Sequence, residues 1–152
     1  MDFFNVYGMI FVVLILVPNV IFAYRHADGF ENLYKNKIVE TFEQIGRFGS
    51  FIFMIFSLPR VCIGFSTETA RKVYIIAGFL LVFLYILGWI VFRKEDSVRK
   101  SLVLSVLPSV LFLESGILSL NIPLIVTAAI FAPSHITISY MNAKLKSQKP
   151  VK

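Results

Sequence analysis

Between Ser101 and Ala143 the chain runs 43 residues with a single formal charge, Glu114. No other feature limits the fold as tightly. One helix of that length would extend about 65 Å, twice the roughly 30 Å hydrocarbon core of a bilayer. The run must fold back on itself. Ser119-Leu120-Asn121-Ile122-Pro123 supplies the turn chemistry, with a proline suited to a helix start. Two spans are expected, about 101–119 and 122–142.

Two further stretches, Phe3–Tyr24 and Val73–Phe92, carry no charge and are each long enough to cross. Composition agrees with this reading. The 152 residues are 57% hydrophobic and 16% charged, against about 45–50% and about 25% in ordinary soluble domains. Such a chain lacks the residues for a charged coat. This excludes a soluble enzyme, a nucleic-acid-binding domain and a disordered tail. A small integral membrane protein remains. The N-terminal run follows Asp2 rather than a lysine or arginine, is long, and has no small-x-small cleavage pattern after it. It is therefore expected as a first span, about 4–24, rather than a cleaved signal peptide.

The second span is the hardest to place. Phe48–Leu58 is strongly apolar but lies between Arg47 and Arg60. Upstream, Ile38, Phe42 and Ile45 recur at helical spacing among Lys37, Glu40, Glu43 and Gln44. This pattern predicts an interfacial amphipathic helix that turns into the membrane near Ile45, with the span at about 45–63. The arginines at either end can snorkel outward.

Charge placement then orients the bundle. In a five-span arrangement, loop 25–47, loop 93–100 and the C-terminal tail share one side and hold twelve of the fifteen cations. Only Arg60, Arg71 and Lys72 lie on the other. The positive-inside rule puts the N-terminus outside and the C-terminus in the cytoplasm. The expected fold is an all-α integral membrane bundle of five transmembrane helices, with spans near 4–24, 45–63, 73–92, 101–119 and 122–142. An interfacial helix precedes the second. Residues 1–143 form one helical domain of the cell membrane and 144–152 a basic cytoplasmic tail.

Against that apolar background a few polar residues stand out. Glu114 is the one acid deep inside a span, where a carboxylate costs several kcal/mol unless neutralised, paired or hydrated. Arg60 lies at a matching depth. The two are expected to pair, or Glu114 to stay protonated and bonded to Ser115 or Ser119; its role is either a proton- or cation-responsive group or a structural contact. His135, with Ser139 and Asn142, forms a stripe that Ala128 and Ala132 continue along one face, as in a membrane helix contact. Asn19, Glu43 and Arg47 fall at similar depth, and Glu43 and Arg47 are spaced i, i+4 in the favourable order. A cytoplasm-facing polar pocket of Asn19, Glu43, Arg47 and His135 could move protons or orient an anionic ligand. The plainer reading is a packing histidine and a surface helix pair.

Other chemistry is not supported. One cysteine, Cys62, excludes a disulfide framework. His26 and His135 lie in separate segments without metal-ligand spacing, so no metal or cofactor is expected. Ser134 and His135, being adjacent, point from different helix faces. No glycine-rich phosphate loop occurs. Pro18, Pro108 and Pro133 should kink their helices, with Asn19, Ser109 and Ser134 helping to satisfy freed carbonyls. Residues 13–22 and 103–112 match at five of ten positions, including the proline, which raises an inverted repeat of helices 1–2 and 4–5. Tyr85, Trp89 and Tyr140 fall where an aromatic belt belongs.

The segments Asp28-Gly29-Phe30-Glu31-Asn32, Glu43-Gln44-Ile45-Gly46-Arg47-Phe48-Gly49 and Pro133 to Ala143 resemble a family of small multi-span membrane proteins of low-GC Gram-positive bacteria. The likeness covers most of the chain. It implies a bacterial setting and carries no activity with it. The five-span plan is also similar to that of the tryptophan-rich sensory protein family. This chain has one Trp and none of the Trp-Pro patterning, so no porphyrin site is transferred. The expected function is a non-enzymatic accessory or binding protein of the membrane; the alternative is a small transporter or channel using the intramembrane carboxylate. Expected partners are membrane lipids, anionic ones at the cytoplasmic face included, and a second copy or partner membrane protein, with no nucleic acid.

Overall fold

The computed structural model describes residues 3–25 and 32–148. These form five helices: α1 (Val6–Arg25), α2 (Lys37–Ile55), α3 (Glu68–Val91), α4 (Val98–Leu118) and α5 (Ile122–Ser147). Four of them, α1, α3, α4 and α5, are long and apolar enough to cross a membrane. The fifth, α2, is the most polar of the set. Each start is chemically marked. Asn36, Thr67, Ser97 and Asn121 precede α2 to α5, and each accepts backbone N–H bonds through its side chain.

The helices run up and down and pack as a ring in the order α1, α2, α5, α4, α3, with α3 returning to α1. Close approach in the ring depends on small residues. A Cβ at Gly46 of α2 would stand 2.6 Å from the Phe131 backbone nitrogen of α5. Ser50, one turn on, is fully buried, with its hydroxyl 3.5 Å from Thr127 of α5. The end of the ring where α1 and α3 finish and α2 and α4 begin holds most of the cations and is called the basic end below.

The opposite end is closed. Asn5 N–H donates to Ile55 O (2.7 Å) and Ser57 N–H to Phe3 O (2.8 Å), which ties the N-terminus to the end of α2. The extended strap after α2 continues across the bundle, where Ile63 N–H reaches Leu120 O (3.2 Å). Beneath it Phe11, Met54, Tyr74, Leu111, Phe112 and Leu124 fill the centre. The α4–α5 turn falls where the sequence places it: α4 ends at Leu118, Leu120 is left-handed (φ 46°), and Asn121 caps α5 while donating to Phe53 O (2.7 Å).

Helix 2 differs from expectation. The lead-in and the apolar segment are one continuous helix, Lys37–Ile55, which ends before the expected limit near 63. Its apolar residues Ile38, Phe42, Ile45, Phe48 and Ile52 form one stripe on the outside of the ring, each at least half exposed. Glu43, Gly46, Ser50 and Met54 form the buried face. Helix α3 likewise presents an apolar exterior through Ile76, Phe79, Leu80, Phe83 and Leu87. Helix α5 stays helical through Lys144 and Lys146, the start of the expected basic tail, to Ser147. Lys149 and Lys152 lie outside the described residues.

The prolines sit inside α1, α4 and α5 as expected. The polar residue after each one bonds a carbonyl four residues before itself: Asn19 to Ile15 O, Ser109 to Ser105 O, Ser134 to Ile130 O. These are the carbonyls next to the ones the prolines free, so the side chains support the loosened turn without replacing the missing bond.

Candidate ligand cavity at the basic end

The ring is packed shut at one end and hollow at the other. A cavity of about 630 Å³ opens there, walled by all five helices. Its lining includes Asn19, Glu43, Arg47 and His135, the four residues grouped by depth in the sequence.

Glu43 is the centre of the polar wall. It is 2% exposed, which a carboxylate tolerates only with strong partners. Arg47, one turn along α2, donates to Oε1 through Nε at 2.9 Å and also through Nη2. His135 of α5 places Nδ1 3.0 Å from the same oxygen, with the imidazole N–H donating to the carboxylate. The His135 ring stacks on Phe131 at 4.5 Å and 18°, which fixes its plane. The local sequence explains the meeting. Gly46 allows α2 to touch α5 at Phe131, and Glu43 lies one turn before Gly46 as His135 lies one turn after Phe131. Asn19, on α1, accepts from the Tyr85 hydroxyl of α3 at 3.0 Å and spends its amide on Ile15 O.

On the facing wall, α4 contributes Lys100, Leu104, Ser105, Pro108 and Phe112. Lys100 is 7% exposed. Its ammonium donates to Glu95 O at 2.8 Å and lies 5.4 and 5.7 Å from the ring centres of Phe22 and Trp89. Both distances suit a cation–π contact. Asp96 is 4.0 Å from Lys100 and 2.6 Å from Lys146. At the mouth, Asn142 Oδ1 accepts from the backbone N–H groups of Leu33 and Tyr34 at 2.9 and 2.7 Å, pinning the segment before α2 to α5. The lining therefore grades from charged at the mouth to Ile15, Leu104, Pro108, Phe112 and Phe131 in depth.

Glu114 and Arg60 are not brought together. Glu114 Oε2 accepts from Ser115 Oγ at 3.4 Å, while Oε1 is buried without a hydrogen-bond partner among the described residues. Arg60 is exposed, with φ 80°, in the strap after α2. The reason is the end of α2: the helix stops at Ile55, so Arg60 is carried across the closed end instead of down to the level of Glu114. Ser119, the other expected partner, donates to Ser115 O at 2.6 Å. Neither Glu114 nor Arg60 lines the cavity.

Sequence reasoning missed Lys100, Tyr85 and Trp89 as lining residues. Tyr85 is buried and Trp89 stands on Phe22, ring centres 4.9 Å apart, so both turn inward and not to an aromatic belt. Lys100 has a signal in the sequence: with Leu104, Pro108 and Phe112 it recurs every four residues, one helix face with a lysine at its head. No group of three or more His, Cys, Asp or Glu among the described residues is placed to hold a metal ion. His26 lies outside the described residues, as do four of the five residues of Asp28–Asn32. Comparison with protein-family models, curated proteins and solved structures matches this chain to none of them.

Proposed function

We propose that this chain is a five-span, multi-pass protein of the cell membrane that binds a small amphipathic molecule without transforming it. Its basic end faces the cytoplasm in this reading. The observation that carries the proposal is the polarity gradient of the cavity. Charged and hydrogen-bonding groups lie at the end level with the cationic loops, and apolar walls lie toward the middle of the helices. A bilayer imposes the same order on an amphiphile, headgroup at the interface and apolar body toward the midplane. The volume, about 630 Å³, falls within the roughly 300–1,000 Å³ of small-molecule sites.

The outward apolar stripe of α2 supports the fifth crossing. A helix lying flat at the interface turns its charged face to water; α2 turns Glu43 toward α5 and its isoleucines and phenylalanines outward. The absence of enzymatic turnover is an inference from the short connections and from a lining with no paired nucleophile and base. Native mass spectrometry from mild detergent tests the binding reading. The unaltered chain should retain a small-molecule or lipid adduct, and Ser139→Trp, which fills the cavity wall, should lose it while Ser139→Ala keeps it. An adduct indifferent to Ser139→Trp, or no adduct on any form, contradicts the proposal.

A second reading, a carrier or channel working through Glu114, draws on Oε1, buried without a hydrogen-bond partner among the described residues. It ranks lower because Glu114 is not part of the cavity wall. Proteoliposome flux that disappears in Glu114→Gln would reverse the order.

A further inference from the structure

The cavity's acids and cations are unequally satisfied. Glu43 has Arg47 and His135, Glu40 accepts from Asn32 at 2.7 Å, and Asp96 is engaged by Lys146 at 2.6 Å. Lys100 stands apart. Among the hydrogen-bonding groups of the described residues its buried ammonium meets only a neutral carbonyl at contact distance, and its one carboxylate neighbour among them is at the 4.0 Å limit, more than half exposed and shared with Lys146. Burying a cation without a close anion is expensive. Aromatic faces relieve part of that cost and cannot replace a counter-ion. Beside it Trp89 contributes its ring to the same wall, with the ring centre 5.7 Å from the ammonium. A cation with capacity to spare therefore lines the cavity, close to the first turn of α4, where the helix dipole also favours negative charge.

We infer that the ligand is an anionic amphiphile, an acyl chain ending in a carboxylate or phosphate. Its head rests on Lys100 Nζ, and its chain runs along Ile15, Leu104, Pro108, Phe112 and Phe131. The inference rests on the cavity-binding reading above and adds the charge of the headgroup to it. Lys100 supplies the counter-charge, and the deep wall takes apolar surface out of water.

Trp89 is the chain's single tryptophan, so its fluorescence reports the site directly. The experiment titrates the purified full chain in maltoside micelles with a dibrominated stearic acid, and separately with its methyl ester. Bromine on the chain quenches tryptophan at contact, and the two probes differ in headgroup charge alone. The acid should quench saturably and at much lower concentration than the ester. Loss of a charge-assisted contact should raise its midpoint about tenfold or more in Lys100→Met, while Lys100→Arg keeps it low. If acid and ester share one midpoint, or Lys100→Met leaves that of the acid unchanged, the anionic assignment is wrong and the cavity-binding reading survives. If neither probe quenches saturably, both fall. The acid–ester comparison on the unaltered chain decides the question even where Lys100→Met fails to fold. Repeating it with a brominated lysophosphatidic acid separates a phosphate preference from a carboxylate one, and either supports the assignment.

Discussion

Glu43 receives donors from two helices on one oxygen, Arg47 from its own helix and His135 from α5. Removing the carboxylate leaves His135 without its acceptor, while the 37% exposed Arg47 side chain keeps access to water. Glu43→Ala should cost about 1–3 kcal/mol of stability. Glu43→Gln, which keeps a carbonyl acceptor at the same place, should cost less. Reversible unfolding in mixed micelles, followed by circular dichroism, checks the ranking; an alanine variant as stable as the parent would mean that the wall is wet. This cluster was legible in the sequence because depth and i, i+4 spacing are both one-dimensional quantities. Asn19, Glu43, Arg47 and His135 could be set at one level by counting residues from the helix ends. The Arg60–Glu114 pair was not legible, since it depended on where α2 stops. Eight residues between the expected and observed ends move Arg60 from a helix to a strap. Lys100 was overlooked for a different reason: a lysine beside a predicted membrane boundary has a sufficient explanation in topology, which hides its burial.

At the scale of elements, α2 holds the main lesson. Lys37, Glu40, Glu43 and Arg47 read as a water-facing surface, and by composition the helix stands apart from the four apolar ones. Amphipathicity has no sign, however. The same pattern serves a helix with its polar face toward water and one with its polar face toward neighbouring helices. Packing selects between them, and the selecting residue is Gly46, whose missing side chain lets α2 lie against Phe131 of α5. Gly46→Leu should therefore destabilise the bundle by about 1–3 kcal/mol through overpacking and push Glu43 away from His135. Thermal unfolding in detergent measures the first effect. A loss of energetic coupling between Glu43 and His135 in a double-mutant cycle on the Gly46→Leu background measures the second. An unchanged melting temperature would contradict the close α2–α5 contact. The α4–α5 turn is the opposite case. A 43-residue run with one charge leaves a single solution, and the turn sits at Ser119–Asn121.

On the scale of the whole molecule, a ring of five helices presents an apolar exterior and holds several of its polar side chains inside. Soluble bundles reverse that arrangement. The exposed surface of α1, α3 and α2 is dominated by Val, Ile, Leu and Phe, while serines, Asn121, Glu43 and Lys100 are among the buried residues. The cavity follows from the same geometry, because five helices closed at one end by the Phe3–Ser57 and Ile63–Leu120 contacts leave a hollow at the other. The proposed function requires α2 to cross the membrane with its polar face turned into that hollow. Spin labels at single cysteines along α2, in a Cys62→Ala background and in lipid vesicles, test this most directly. Labels at Ile45, Phe48 and Ile52 should be relaxed strongly by oxygen and weakly by a water-soluble nickel chelate, and labels at Gln44 and Arg47 should show the reverse. Chelate access at Ile45, Phe48 and Ile52, equal to that at Gln44 and Arg47, would put α2 in water and contradict the account.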